Sequence, residues 1–297
     1  MSDGYSVVDR APGGAARVAL GSNHPGVCDE DYRRRRDRIA ALALDWQPGS
    51  PCPTVDYTAQ EHATWRTVCE RLVPLWRDRA VPSFVDAASN LGLPSVRVPQ
   101  LEEVSRLLRP LTGFRYLPVA GLAPLKEFYS AFGEDVFLST QYLRHYSTPL
   151  YTPEPDLCHE VLGHANQLAD PRFAVLYRTV AATARRLENP QALSVLSRLF
   201  WHTLEFGVTR GTHGEPLAYG AGLLSSYGEL QAFVRAERRP VDWWAMGTRD
   251  YDITRYQTVL YEVPSLEWLF EELPAFLAAF DDDAGTRLRR VPAASLR

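Results

Sequence analysis

The segment YTPEPDLCHEVLGHANQLADPRFA, Tyr151 to Ala174, holds two histidines, His159 and His164, five residues apart. That spacing restricts the local backbone more tightly than any other feature of the chain. On a regular helix of about 100° per residue, positions i and i+5 diverge by roughly 140°, whereas i and i+4 diverge by only roughly 40°. The zinc-protease pattern H-E-x-x-H uses the closer pair and is therefore disfavoured. His159 and His164 can share an ion only if the backbone departs from a straight helix or the side chains reach round it. Gly163 is well placed for such a departure. Imidazoles suit zinc, iron, copper and nickel, and two histidines plus one carboxylate with open positions is the arrangement of non-haem Fe(II) oxygenases. Glu160 directly follows His159 and so points about 100° away from it on a helix. Glu205, in FWHTLEFGVTR, lies among Phe200, Trp201, Leu204 and Phe206, where a carboxylate is costly unless paired or metal-bound. Glu205 is the preferred third ligand. The residues alone reach a candidate mononuclear metal site and no substrate. Histidines with satisfied hydrogen bonds, and a half-exposed glutamate paired with an arginine, remain the alternatives.

Around this segment the pattern is mostly helical. Residues 1–22 show no sustained hydrophobic period and are expected to form a flexible tail. Asp29 or Asp31 can cap a helix containing Ile39, Leu42 and Leu44, with Arg33 to Arg36 read as its solvated face. A second helix is expected from about Ala59 to Val73, where Pro74 should kink or end it. A third covers Pro82 to Leu91, and a fourth starts near Pro99 with Pro110 just past its end. Phe114 with Tyr116, and Val136 with Leu138, alternate as short strands do. From Asp156 to about Arg235 the reading is mostly helix. No repeat or low-complexity linker divides the chain, so residues 23–297 are expected to form a single, mainly α domain with a few short strands.

Composition narrows the function classes. With a formal net charge of −4 over 297 residues, bulk attraction to nucleic acid is excluded. No apolar run approaches the ~20 residues of a membrane helix, and no secretory signal opens the chain. Cys28, Cys52, Cys69 and Cys158 form no CxxC pair, which fits reduced thiols. A cytoplasmic protein with no nucleic-acid or membrane partner is expected.

Longer motifs go further. HPG at His24, VPQLEEVS at Val98, TGFRYLPVAGL at Thr112, STQYLRHYSTPLYTPEPDLCHEVLGH at Ser139, LEFGV at Leu204, AYGAGLLSSYGEL at Ala218 and YDITRYQ at Tyr251 occur in that order. From about His24 to about Phe270 the sequence resembles the catalytic domain of the pterin-dependent aromatic amino acid hydroxylases. The resemblance implies a monooxygenase that uses Fe(II), a tetrahydropterin and O2 to hydroxylate the ring of a free aromatic amino acid. It implies Fe(II) ligation by His159, His164 and Glu205, and a pterin pocket formed by Gly121, Leu122, Phe128 and Glu160. It also implies an amino-acid site of Arg144, Thr152, Trp201 and Ser225, with the arginine gripping the carboxylate by its planar fork.

L-Phenylalanine to L-tyrosine is the leading expectation. Phenylalanine 3-hydroxylation to meta-tyrosine and tryptophan hydroxylation are the alternatives within the class; a zinc hydrolase and a non-catalytic amino-acid-binding protein stand outside it. Three departures bear on the substrate pocket. The chain reads Ala165-Asn166 where the family has a proline two residues after its second histidine. Thr258 replaces the proline after Gln257, and Phe200 replaces a common tyrosine. The regulatory domain that precedes the animal catalytic domains and a long C-terminal heptad helix have no counterpart, so no substrate-activated switch and a monomer are expected.

Overall fold

The computed structural model describes residues 7–10, 15–252 and 255–283. Residues 1–6 and 11–14 of the expected tail, and 284–297 of the expected catalytic domain, lie outside that range. Within the expected tail, β1 (Val7–Arg10) and β2 (Ala16–Ala19) pair as an antiparallel ladder. Val18 N donates to Asp37 Oδ1 at 2.7 Å, which holds the ladder against α1 (Glu30–Asp45). Both strands are short and β1 is largely exposed, so backbone pairing rather than apolar alternation carries them, and the sequence offers no period to read.

Asp29 caps α1 by accepting from Tyr32 N at 2.9 Å. The arginine run on this helix is not simply a solvated face. Arg36 is only 3% exposed and ion-pairs with Glu154 at 2.9 Å, its guanidinium lying over the Tyr142 ring. Helix α2 (Ala59–Arg79) opens on a capping box between Thr58 and Glu61 and continues past Pro74 without ending. The carbonyl that Pro74 leaves without a donor belongs to exposed Glu70, where water can reach it. Trp65, Val68, Cys69 and Leu72 before the proline and Trp76 after it are buried on one face, so burial outweighs the local break.

Helix α3 (Pro82–Leu91) ends at Gly92. Helix α4 (Leu101–Thr112) takes Pro110 into its last turn and stops at Gly113, whose φ of 86° glycine tolerates without a Cβ clash. The two expected strands are β3 (Arg115–Pro118) and β4 (Val136–Ser139), paired in parallel. A parallel pair needs a crossover, supplied by α5 (Leu125–Ala131).

After β4 a loop with turns at residues 146–150 leads to a π-helical turn, His159–Ala165. It continues into α6 (Asn166–Leu168), α7 (Pro171–Arg186) and α8 (Pro190–Phe200). A second π-helical turn, Trp201–Glu205, follows α8 without a break. The remaining strands form a sheet in the order β6-β5-β8-β7: β5 (Val208–Arg210), β6 (Pro216–Ala218), β7 (Glu237–Pro240) and β8 (Val259–Val263). The helices α9 (Ala221–Ser225), α10 (Tyr227–Ala232), α11 (Trp243–Thr248) and α12 (Leu266–Ala278) complete the element order. One continuous apolar core joins residues from Ile39 to Phe280. Among the described residues no helix is long and apolar enough to cross a membrane, and all four cysteines are free.

The Arg36–Glu154 pair supplies a stability test. Breaking a buried ion pair by removing one partner strands the other charge, at a cost of about 3–5 kcal/mol. Glu154→Gln should therefore lower unfolding stability by at least about 2 kcal/mol in urea titration. A loss below ~0.5 kcal/mol, the level of an ordinary surface change, would contradict this account of the pair.

Candidate active site

A π-helical turn joins residues five apart through its backbone hydrogen bonds, so positions that diverge on an α-helix stack one turn above the other. This is the departure that the histidine spacing demands. His159 Nε2 and His164 Nε2 approach to 3.1 Å. The second turn does the same for the carboxylate. Its register is seen where Phe206 N donates to Trp201 O, five residues back, at 2.9 Å. Glu205 Oε1 lies 3.0 Å from His164 Nε2 and Oε2 lies 3.8 Å from His159 Nε2. The three ligand atoms fall within 4.8 Å of one another.

Two glycines let the turns come together. A Cβ on Gly163 would meet the Ala221 carbonyl oxygen at 2.6 Å, and one on Gly220 would meet the Glu205 carbonyl oxygen at 2.3 Å. Helix α9 therefore seats its backbone directly against both turns. Trp76 donates its ring N–H to Leu224 O at 2.8 Å, fixing α9 from the side of α2. From β3, Tyr116 donates its hydroxyl to Glu160 O at 2.8 Å.

The hydrogen bonds also fix which histidine nitrogens face inward. Gln167 Nε2 donates to the carbonyls of Leu204 and Tyr219, so Gln167 Oε1 is left as an acceptor and takes the Tyr177 hydroxyl proton at 2.5 Å. The Tyr177 oxygen then accepts from His164 Nδ1–H at 2.7 Å. Ser225 donates to Gly222 O at 3.3 Å and accepts from His159 Nδ1–H at 2.8 Å. Both imidazoles thus turn an Nε2 lone pair toward Glu205.

Burial alone would raise the Glu205 carboxyl; positive charge on the imidazole side, which His164 and His159 supply when protonated, holds it below its ordinary value. Burial pushes His159 down to about 4. Glu205 Oε2 is buried without a hydrogen-bond partner among the described residues. Two lone pairs and an anionic carboxylate aimed at one point repel each other unless a cation lies between them, and this donor set suits a divalent transition metal.

The three residues line a cavity of about 310 Å³, and every other site residue expected from the sequence lines it too: Gly121, Leu122, Phe128, Arg144, Thr152, Glu160, Trp201 and Ser225. Arg144 is buried and gives one edge of its fork to Asp156, Nε to Oδ2 at 2.9 Å and Nη2 to Oδ1 at 2.7 Å. Asp156 also accepts from His159 N at 3.2 Å. Burial pushes Glu160 well up, and the charges of Glu205 and Asp156 add to this. Trp201 stacks on Tyr251 with ring centres 4.0 Å apart.

A family model described as biopterin-dependent aromatic amino acid hydroxylase matches residues 15–287. The chain belongs to that family. It is therefore a pterin-dependent aromatic amino acid monooxygenase, and the zinc-hydrolase and non-catalytic readings fall away. It is 43% identical to a phenylalanine 3-hydroxylase of Streptomyces coeruleorubidus, over 88% of this chain and 93% of that protein. It is 37% identical to a phenylalanine-4-hydroxylase of Dictyostelium discoideum over 88% of this chain, but spans only 60% of that longer protein. Among solved structures it superposes on Chromobacterium violaceum phenylalanine hydroxylase with bound iron(III) and 7,8-dihydrobiopterin at a TM-score of 0.73 and 28% identity, covering 80% of this chain and 90% of that one.

Sequence reasoning missed the residues behind the ligands. Tyr177 and Gln167 carry no motif signal, since each contributes one atom to a relay that exists only after folding. Partners of this kind are worth about 10–100-fold in metal affinity. Tyr177→Phe should weaken Fe(II) binding by at least ~10-fold in chelator competition; wild-type affinity would remove Tyr177 from the relay.

Proposed function

We propose that this protein hydroxylates the aromatic ring of free L-phenylalanine, with Fe(II) held by His159, His164 and Glu205, a tetrahydropterin as reductant and O2 as co-substrate. The observation that carries the reading is the convergence of two Nε2 lone pairs and an anionic carboxylate in a cavity lined by Phe128 and Trp201. Iron and tetrahydropterin together supply the reductive activation of O2 that ring hydroxylation needs.

The chain's own residues bind, orient and exclude water. Phe128 stacks the pterin ring, the backbone at Gly121 and Leu122 lines its pocket, and Glu160 stands on the pterin side without ligating the metal. Trp201 walls the substrate ring. Arg144 takes the substrate carboxylate, assisted by Thr152 and Ser225. Because Asp156 holds the Nε edge of Arg144, the carboxylate meets its Nη1 and Nη2 end. Ser225, hydrogen-bonded to His159 Nδ1, links substrate binding to ligand orientation. Free thiols at all four cysteines suit a cytoplasmic placement, and we expect a monomer.

Hydroxylation at the 4-position, giving tyrosine, is the leading reading. A second, hydroxylation at the 3-position, is favoured by the likeness to the Streptomyces 3-hydroxylase, which the chain matches over nearly that protein's full length. Incubation with Fe(II), a tetrahydropterin, O2 and each aromatic amino acid in turn, with chromatographic identification of the product, separates tyrosine from meta-tyrosine. No hydroxylated product from phenylalanine would refute the substrate assignment. Arg144→Lys keeps the charge but loses the fork, so it should raise the apparent Km for phenylalanine about 10-fold or more, since charged hydrogen bonds contribute ~1.5–3 kcal/mol. An unchanged Km would remove Arg144 from carboxylate binding.

A further inference from the structure

An amino acid brings two charges into the cavity, and the roles proposed so far account only for its carboxylate. An ammonium group taken out of water without a counter-charge costs several kcal/mol, so the cavity needs an acceptor for it. Four glutamates line the cavity. Glu154 is paired with Arg36; Glu205 faces the two histidines; Glu160 adjoins His159 in the first π-helical turn, on the proposed pterin side. Glu229 is different. It is only 5% exposed, its Oε1 accepts from Gln257 N at 2.9 Å, and its Oε2 is buried with no hydrogen-bond partner among the described residues.

Glu229 sits on α10, four residues after Ser225 on the adjoining α9, and Ser225, Ser226 and Glu229 line the cavity together with Arg144 and Thr152. We infer that the Glu229 carboxylate is the acceptor for the substrate's α-ammonium group. This rests on the amino-acid substrate proposed above. A buried carboxylate that spends one oxygen on a backbone amide keeps acceptor capacity for an N–H⁺ donor. Burial pushes the Glu229 carboxyl up to about 7, as expected of a carboxylate whose counter-charge comes with the ligand. The purely structural alternative is that Glu229 serves only to hold the Gln257 backbone.

The two roles separate with 3-phenylpropanoate, which keeps the ring and carboxylate of phenylalanine and lacks its amino group. Binding of both compounds to the Fe(II)-loaded protein is measured by calorimetry without O2, for wild type and Glu229→Gln. The expected result is a loss of about 10-fold or more for phenylalanine, with 3-phenylpropanoate held within about 2-fold. Retained 3-phenylpropanoate binding also certifies the fold. Equal losses for the two compounds, or no loss for either, overturn the inference. Should Glu229→Gln not fold, the same ratio is read on Glu229→Asp and Glu229→Ala. A wild-type protein that binds 3-phenylpropanoate but not phenylalanine would overturn the substrate reading itself, an outcome distinct from failure of the Glu229 assignment.

Discussion

The site depends on backbone hydrogen bonding that skips one residue more than an α-helix allows. With α-helical registers at residues 159–165 and 201–205, His159 and His164 would splay apart and no shared ligand point would exist. π-Helical turns are rare, so the surroundings must favour them. Here they do so by close backbone packing: α9 lies against both turns at Gly163 and Gly220, where any larger residue would push it away. The Tyr116 hydroxyl on Glu160 O and the Trp76 ring on Leu224 O tie that assembly to β3 and α2. Strand, helix and loop thus meet at the two turns that carry His159, His164 and Glu205, which explains why so much of the core is arranged around a few residues.

A second constraint is the placing of charge. Asp156 is fully buried, and burial would raise its carboxyl, yet Arg144 holds it below its usual range. The pair is positioned by backbone contacts at both ends, because Asp156 also accepts from the Arg144 and His159 amides. One carboxylate therefore aligns the proposed carboxylate-binding guanidinium with the start of the ligand-bearing turn. Behind it, burial pushes His24 down to about 4, which keeps this residue of the HPG motif neutral beside Glu154 and Arg36 at neutral pH. Buried pairs of this kind contribute little net stability. Their value lies in fixing an orientation, and a change at Glu154 reaches the cavity because Glu154 lines it.

Much of this was legible in the sequence, for identifiable reasons. Helix starts at Asp29, Thr58 and Pro82 depend on local chemistry and are readable. The run of α2 through Pro74 was not, because it is decided by Trp65 and Trp76 packing on the same distant face. The early β1–β2 ladder was missed because strand pairing is non-local and its residues alternate too weakly. At the site, residue types and spacing gave the three candidate ligands and the need for a bent backbone, but not its π register. Tyr177 lies in no motif, and Glu229, although part of AYGAGLLSSYGEL, carries no role that its motif reveals; each matters through a single buried atom whose partners come from elsewhere in the chain.

The proposed ligands serve attack at position 3 or at position 4 alike, so on this reading the two outcomes divide at the wall beside the substrate ring. Trp201 is held on both sides, by Tyr251 at 4.0 Å and by Phe206 at 4.4 Å between ring centres. Tyr251 is in turn within 3.4 Å of the Ser197 hydroxyl, which accepts from Tyr129 at 3.1 Å. A wall clamped in this way cannot yield to the substrate, because moving Trp201 would require repacking Tyr251 and Phe206 as well. Phe200 lies against Tyr129 and adds no hydroxyl to this row. On the proposed reading, the position of attack is a packing property of α5, α8 and the segment around Tyr251, separable from the chemistry of the proposed ligands. On that reading the motifs around the ligands identify the reaction class, while ring position depends on how side chains inside and outside them, Phe206 and Tyr251 as well as Ser197 and Phe200, pack together.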